Sequence, residues 1–350
     1  MSARLERGQI MGRKRSPKHL PFLSMLSCTG LLAGAPTALM AADFFSGKTV
    51  KLVVGMPPGG GVDAYARLLQ RHIVRYIPGT PAFVAQNMPG AGSLRSVQSM
   101  ATVPDDATTI ATFTSTLLTD SVLNPDQTKV DFRDFRFVGN VSEDTRVCYV
   151  RRGFGPNSFA DLTKDKEVIF GATAASQPEA SMLRNVLGVK MKIVMGYAGS
   201  ADKRLALEKG EVDGDCGGWT SLPASWKSVD GPVNVFIRVS PTLLPGMDAS
   251  IPFGGDLIKD ADTRRIFDFL TAPTRIGRPF MVKGKVPADQ LTVLRTAFDK
   301  TMVDPEFLAE ANRMELTVTP MGGAEVDRQI AELYATPPEL ISRAKQLTTR

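Results

Sequence analysis

The chain has 350 residues, enough for one large or two ordinary domains, and carries 42 Lys and Arg against 36 Asp and Glu. The positive excess lies in residues 1–42, which hold six basic residues and one acidic residue, so that 36 basic and 35 acidic residues remain after them. A balance this close to zero gives no case for nucleic-acid binding.

The first segment, residues 1–42, has the pattern of a secretory signal peptide. A basic region ends at Lys18, an apolar stretch runs from residue 20 to about residue 40, and Ala41 and Ala42 precede Asp43. Leu39 or Met40 stands where a cleavage site usually has a small residue, so an uncleaved anchor is the alternative. No later apolar run has membrane length, and we therefore predict export to the periplasm.

Two cysteines and one histidine follow this leader. Cys148 and Cys216 are as consistent with two buried thiols as with a disulfide, and we favour thiols. His72 falls on the apolar face of a predicted helix, where a histidine is usually a packed residue. A His-based metal site or a Ser-His-Asp triad would lack partners, and G-x-S-x-G is absent, so we expect no catalytic residue, metal or cofactor.

The first predicted unit is a strand, a glycine turn and a helix. The apolar run 50–54 predicts a buried strand, PPGGG at 57–61 ends it, and apolar residues at helical spacing follow from Tyr65 to Tyr76. A glycine turn before a helix N-terminus lets main-chain amides approach an anion. A tight turn that binds nothing, with Asp63 as N-cap, is equally consistent with the pattern. The segment lacks the Walker A and G-x-G-x-x-G signatures.

The next two units repeat this arrangement. A short strand at 83–85 precedes NMPGAGS at 87–93 and a helix from Leu94, and a strand at 109–113 ends at Thr114, Ser115 and Thr116. Parallel strands deliver such turns to one edge of a sheet, which is where ligands bind in open α/β sheets. The pattern therefore predicts a ligand site at that edge.

Several segments resemble the TctC/Bug family, the periplasmic solute-binding proteins of tripartite tricarboxylate transport systems. They cover nearly all of the chain after residue 42, in family order, and comprise MPPGGGVD at 56–63, NMPGAG at 87–92, VGNVS at 138–142, GYAGS at 196–200, GEVDG at 210–214, PADQL at 287–291 and YATP at 334–337.

The resemblance implies a two-lobed α/β fold of the Venus-flytrap type, each lobe a mostly parallel sheet flanked by helices. Lobe 1 would comprise residues 43–147 plus 276–350, and lobe 2 residues 148–275. Two strands would cross between the lobes, near 146–150 and 275–282. In lobe 2, apolar strands at 168–170 and 192–195 precede helices at 178–187 and 201–209.

The resemblance also implies a monomeric, non-enzymatic protein that captures a small organic anion and presents it to a membrane permease. The ligand would be a carboxylate, dicarboxylate or amino acid, held by amides, hydroxyls and water with little reliance on arginine. The matching positions are Gly59, Gly60, Gly61, Asp63, Asn87, Gly90, Ala91, Thr114 and Ser115 in lobe 1, and Thr173, Ala174, Ser176, Tyr197, Gly199, Ser200 and Asp213 in lobe 2.

Other interpretations apply to some of these residues. Thr173 and Ser176 are equally consistent with helix capping, Asp63 and Asp213 with pinning a loop, and Tyr197 with a wall or core position. The chain also departs from the family pattern, because Ser93 replaces a glycine and the loop ATAASQPEAS at 172–181 lacks the usual glycines.

The sequence is also compatible with two other functions. A liganded protein of the same fold would signal to a membrane sensor instead of a permease. An exported hydrolase would need a nucleophile beside a base, for which only lysines and carboxylates are left.

Overall fold

The strands form two mixed sheets flanked by helices in the computed structural model, which describes residues 44–154, 158–164 and 167–348. The predicted signal peptide lies outside these residues. We call each sheet, with the helices packed on it, a lobe.

The first sheet has six strands in the order β11-β4-β10-β3-β1-β2. These strands are β1 (Thr49–Val54), β2 (Ala82–Asn87), β3 (Thr109–Thr112), β4 (Phe135–Asn140), β10 (Pro279–Lys283) and β11 (Met321–Gly322). The central strand β1 pairs in parallel with β2 and β3, and Val54 lies opposite both Asn87 and Thr112. The turns that follow these three strands therefore start side by side, as the sequence predicts.

The second sheet has five strands in the order β7-β6-β8-β5-β9. These strands are β5 (Arg146–Arg151), β6 (Val168–Ala172), β7 (Met191–Met195), β8 (Gly214–Gly218) and β9 (Val233–Arg238). The predicted strands at 168–170 and 192–195 correspond to β6 and β7. Strand β6 is parallel to β7 and β8, whereas β5 is antiparallel to β8 and β9.

Most strands of each sheet run in one direction, as predicted, and the sheets are mixed because the chain enters each sheet from the side of the other. Residues 141–145 lead from β4 into β5, residues 272–278 lead back into β10, and β5 and β10 run antiparallel to their neighbours. Residues 146–150, the predicted first crossing, are therefore a strand of the second sheet. The two connecting segments are hydrogen-bonded to each other, through Asp144 N to Thr274 O at 2.8 Å.

Helices cover both faces of the sheets. They are α1 (Gly61–Ile73), α2 (Leu94–Ser99), α3 (Thr116–Leu123), α4 (Pro125–Thr128), α5 (Phe159–Leu162), α6 (Gln177–Asn185), α7 (Ser200–Glu208), α8 (Ala224–Lys227), α9 (Ala261–Thr271), α10 (Ala288–Met302), α11 (Pro305–Arg313), α12 (Gly323–Tyr334) and α13 (Pro338–Thr348). Alternation along β1 sends Leu52 and Val54 to the core under α1 and α10, and Val53 to the core on the opposite face. Among the described residues, no helix is long and apolar enough to cross a bilayer.

The two cysteines form a disulfide, so the expectation of free thiols is wrong. Cys148 in β5 and Cys216 in β8 lie directly opposite each other in an antiparallel pair, with Cα atoms 4.1 Å apart and an S–S bond of 2.07 Å. Sequence separation carries no information on strand register, and the register is what brings the sulfurs together.

His72 is a packed residue, as predicted. Its ring lies edge-on to Phe307 at 5.6 Å between centroids, and its Nε2 lies 2.5 Å from Glu310 Oε2. Within the described ranges no group of three metal-ligating side chains is present.

Candidate functional site

A cleft of about 160 Å³ lies where the carboxyl ends of the two sets of parallel strands face each other. Loops after β1 and β3 line it from the first lobe, and loops after β6, β7 and β8 line it from the second. The lining residues are Met56, Pro57, Pro58, Gly60, Gly61, Val62, Thr114, Asp144, Arg146, Thr173, Ala175, Ser176, Gly199, Ser200, Ala201, Asp202, Lys203, Gly217, Ser221 and Arg278.

The first lobe presents the N-terminus of α1 to this cleft. No side chain caps the helix, and the amides of Gly61 and Val62 have no hydrogen-bond acceptor among the described residues. The helix dipole places partial positive charge at these amides. Gly59, at φ +81°, takes a left-handed conformation that allows the turn. The geometry therefore offers a seat for a negatively charged group.

Asp63 and Asn87 hold the glycine loop in place. Asp63 accepts hydrogen bonds from Gly59 N at 3.1 Å and Arg67 Nε at 3.0 Å, and Asn87 Nδ2 donates to Asp63 at 2.8 Å and to Met56 O at 2.9 Å. Burial raises the pKa of Asp63, but the hydrogen bonds from Arg67, Asn87 and Gly59 outweigh it and lower the pKa. The geometry thus favours the loop-pinning interpretation of Asp63.

The second glycine loop lies beside the cleft rather than in it. Gly90 and Ala91 have φ of +145° and +46°, and Ala91 borders a neighbouring groove. Ser93, which replaces a family glycine, is buried and its Oγ accepts a hydrogen bond from Thr114 N at 3.2 Å. The serine therefore links the second loop to the third.

On the second lobe, Thr173 and Ser176 cap each other. Thr173 N donates to Ser176 Oγ, and Ser176 N donates to Thr173 Oγ1, both at 3.2 Å. At the next loop, Gly199 N donates to Asp202 Oδ2 at 3.1 Å. Both loops line the cleft, but within each loop these donors and acceptors already hydrogen-bond one another.

Lys203 holds the loop that follows β6 in position. Its buried ammonium donates to Ser176 Oγ at 3.0 Å, to Cys216 O at 2.9 Å and to the carboxylate of Asp215. Asp215 also accepts a hydrogen bond from Tyr149 Oη at 2.7 Å. Burial, and then the charge of Asp215, raise the pKa of Tyr149 well above its usual value. This cluster was not predicted from the sequence, because its members come from four separate elements.

Four buried charged side chains are linked one to the next by hydrogen-bonded ion pairs along the connecting segments. Arg278 Nη2 donates to Asp144 Oδ1 at 2.9 Å, Arg146 Nη1 donates to Asp144 Oδ2 at 3.2 Å, and Arg146 Nε donates to Glu179 Oε1 at 2.9 Å. Arg278 also lies over the ring of Tyr65, 5.4 Å from its centroid. Burial raises the pKa of Asp144, but the charges of Arg278 and Arg146 outweigh it and lower the pKa.

The two arginines of these ion pairs were not predicted from the sequence. Arg146 is the first residue of β5 and Arg278 immediately precedes β10. Their position within the predicted crossing segments, 146–150 and 275–282, is the one signal that points to them.

The structure brings seven of the predicted ligand contacts to the cleft lining: Gly60, Gly61, Thr114, Thr173, Ser176, Gly199 and Ser200. The other nine lie outside the lining, namely Gly59, Asp63, Asn87, Gly90, Ala91, Ser115, Ala174, Tyr197 and Asp213. Of these, Asp213 accepts a hydrogen bond from Ile169 N at 2.9 Å just before β8, and Tyr197 packs over Gly171. The ligand roles of all sixteen residues stay predictions.

The lobes are close together at the cleft. A Cβ atom at Gly61 would lie 2.6 Å from Ser221 Oγ of the second lobe, and one at Gly199 would lie 3.5 Å from Pro57 of the first. Only glycine at position 61 allows this approach without a shift of Ser221.

No protein-family model matches the sequence, and no curated protein matches it. Solved structures do match. BugD, a periplasmic binding protein, superposes with a TM-score of 0.68 at 18% identity, over 86% of this chain and 97% of that one. The chain has the fold of the TctC/Bug solute-binding proteins. A TctC solute-binding protein from Polaromonas gives a TM-score of 0.60 at 20% identity, over 85% and 98% of the two chains.

A third match is R. palustris Rpa4515, solved with adipate, with a TM-score of 0.66 at 18% identity over 85% of this chain and 97% of that one. At such identities the likeness establishes the fold alone. The TctC/Bug resemblance read from the sequence is thus confirmed for the two-lobed α/β architecture.

Proposed function

We propose that the protein is a non-enzymatic, extracytoplasmic solute-binding protein that captures a small organic anion between its two lobes. One observation carries this proposal: the uncapped N-terminus of α1 places Gly61 and Val62, whose amides have no acceptor among the described residues, in the lining of the cleft between the lobes. Helix N-termini of this kind are suited to carboxylates because amide donors and the helix dipole act together.

The pairing of the charged side chains in the cleft supports the proposal that main-chain amides bind the anion. Arg146, Lys203 and Arg278 line the cleft, but each already has a carboxylate partner within the protein. The ligand carboxylate is therefore held chiefly by amides and hydroxyls, while the paired cations keep the cleft from being negatively charged. The adipate bound to Rpa4515 is consistent with a carboxylate ligand for this fold.

The disulfide supports an exported protein. Bonds such as Cys148–Cys216 persist in oxidising compartments, and the structural neighbours are periplasmic binding proteins. In the proposed cycle the monomeric protein closes on its ligand in the periplasm and presents the closed form to a membrane permease. The ligand drives closure by its greater affinity for the closed state.

A thermal-shift screen tests this function. Monocarboxylates and dicarboxylates are compared with the neutral amides of the same acids, and amino acids are compared with their amides, which keep the ammonium group and lose the carboxylate. A true ligand at 100 times its Kd stabilises the folded state by about 2.7 kcal/mol, which raises Tm. We expect at least one carboxylate to raise Tm and its amide to leave Tm unchanged. The proposal fails if no carboxylate acts, or if the neutral amides act equally.

A further inference from the structure

The second lobe approaches the N-terminus of α1 through Ser221, in the turn of residues 219–221 that follows β8. A Cβ atom built at Gly61 would lie 2.6 Å from Ser221 Oγ, and both residues line the cleft. The hydroxyl of Ser221 therefore lies against the first residue of α1, beside the amides of Gly61 and Val62 that have no acceptor among the described residues.

Ser221 differs from most hydroxyl residues of the cleft because its hydroxyl has no partner. Thr173 and Ser176 hydrogen-bond each other, and Thr114 Oγ1 lies 3.3 Å from the hydroxyl of a neighbouring threonine. Within the described part of the chain, Ser221 Oγ has no hydrogen bond, and Ser221 is only half-buried, so this hydroxyl is free to contact a ligand. The hydroxyl of Ser200 is free as well, but it is Ser221 that lies against α1.

The main chain of this turn is held on both sides of the hydroxyl. Arg278 Nη2 donates a hydrogen bond to Thr220 Oγ1 at 3.1 Å, and Arg204 Nη1 donates to Ser221 O at 3.0 Å. Because the backbone is already fixed, only the side-chain rotation of Ser221 has to be ordered when its hydroxyl meets a ligand. Such preorganisation lowers the entropic cost of a contact.

We propose that Ser221 is the second-lobe contact for the ligand carboxylate, an inference that rests on the anion-binding function proposed above. The Ser221 hydroxyl donates a hydrogen bond to the carboxylate, to which the amides of Gly61 and Val62 donate from the first lobe. One carboxylate group then contacts both lobes and favours the closed form, in which all three donors are close together. A second acid group is not needed for closure, so a monocarboxylate is sufficient.

Calorimetric titration of Ser221→Ala tests this inference, with propionate, succinate, adipate and glutamate as probes. For every probe that binds the wild type, we expect Kd to rise by about tenfold, because a hydrogen bond to a charged acceptor is lost. The factor should be similar for all of them, since the hydroxyl contacts the group that they share. The control Ser225→Ala removes an exposed hydroxyl on α8, outside the cleft lining, and keeps the wild-type Kd.

The melting temperature of the ligand-free protein distinguishes a ligand contact from a structural role. Since Ser221 Oγ has no partner within the described residues, Ser221→Ala is expected to leave this temperature unchanged. A lower melting temperature together with weaker binding would assign Ser221 a structural role and overturn the inference. An effect on dicarboxylates alone would also overturn it, since Ser221 would then contact the far end of the ligand.

The same titrations separate this inference from the proposed function. If a probe binds the wild type and Ser221→Ala with the same Kd, the role of Ser221 is refuted while anion capture stands. If no probe binds the wild type, the proposed function and the role of Ser221 are contradicted together.

Discussion

The two sides of the anion cleft use different parts of the chain. The first lobe offers main-chain amides at Gly61 and Val62, whereas the second lobe and the connecting segments contribute buried charged side chains. On the second side the charges are paired with one another and hold loops in position, as Lys203 does for Ser176. We therefore call the amides of Gly61 and Val62 the proposed seat for the ligand, and the paired charges that hold the loops in position the frame.

The largest expected effect comes from breaking that frame. Arg278→Ala leaves the fully buried Asp144 with one cationic partner instead of two, and removing one partner of a buried ion pair costs about 3–5 kcal/mol. Denaturant unfolding measures the loss. Arg265→Ala is the control, because its pair with Asp262 is exposed and contributes about 1 kcal/mol or less. Similar losses of unfolding free energy for the two variants would show that the buried ion pairs around Asp144 are not part of the frame.

The seat is tested by comparing two glycines of the same turn. A Cβ at Gly61 meets Ser221 Oγ at 2.6 Å, whereas one at Gly60 has only Pro57 O, at 4.0 Å. Gly61→Ala therefore weakens carboxylate binding by about 1–3 kcal/mol through overpacking of the closed form. Gly60→Ala has a smaller effect, and equal effects in calorimetry would contradict the closed geometry.

The sequence predicted the glycine turn of the proposed seat, with Gly61 but not Val62, and it missed the frame, for a physical reason. The turn at 57–61 follows an apolar strand and precedes a helix, so local pattern alone places its amides at the sheet edge. Arg146, Asp144 and Arg278 meet only because the two connecting segments run side by side, which local pattern does not encode. The same holds for the disulfide, which depends on the register of β5 against β8.

A loop-pinning role for Asp63 predicts a smaller loss. Asp63→Ala removes the acceptor for Gly59 N, Arg67 and Asn87 and is expected to lower stability by about 1–2 kcal/mol. Ligand affinity falls as well, since the turn is no longer fixed. Asp126→Ala, in the first turn of the short helix α4, serves as an exposed control. If Asp63→Ala lowers affinity without any loss of stability, Asp63 contacts the ligand directly.

The smallest expected effect is on the pH dependence of unfolding. The folded-state pKa values of Asp144 and Asp63 lie below the ordinary value, so their contribution is present above about pH 4 and is lost as the pH falls through the folded-state values. Denaturant unfolding between pH 7 and pH 3 is expected to show a plateau and then a decline. Asp144→Asn reduces the decline, and an unchanged slope would count against the assigned ion pairs.

The most direct measurement is a crystal structure with the carboxylate that gives the largest thermal shift. We expect a ligand carboxylate within hydrogen-bonding distance of the amides of Gly61 and Val62, with Arg278 still paired to Asp144. A carboxylate bound to Arg146 or Arg278 in place of Asp144, with the N-terminus of α1 facing no ligand atom, would contradict it.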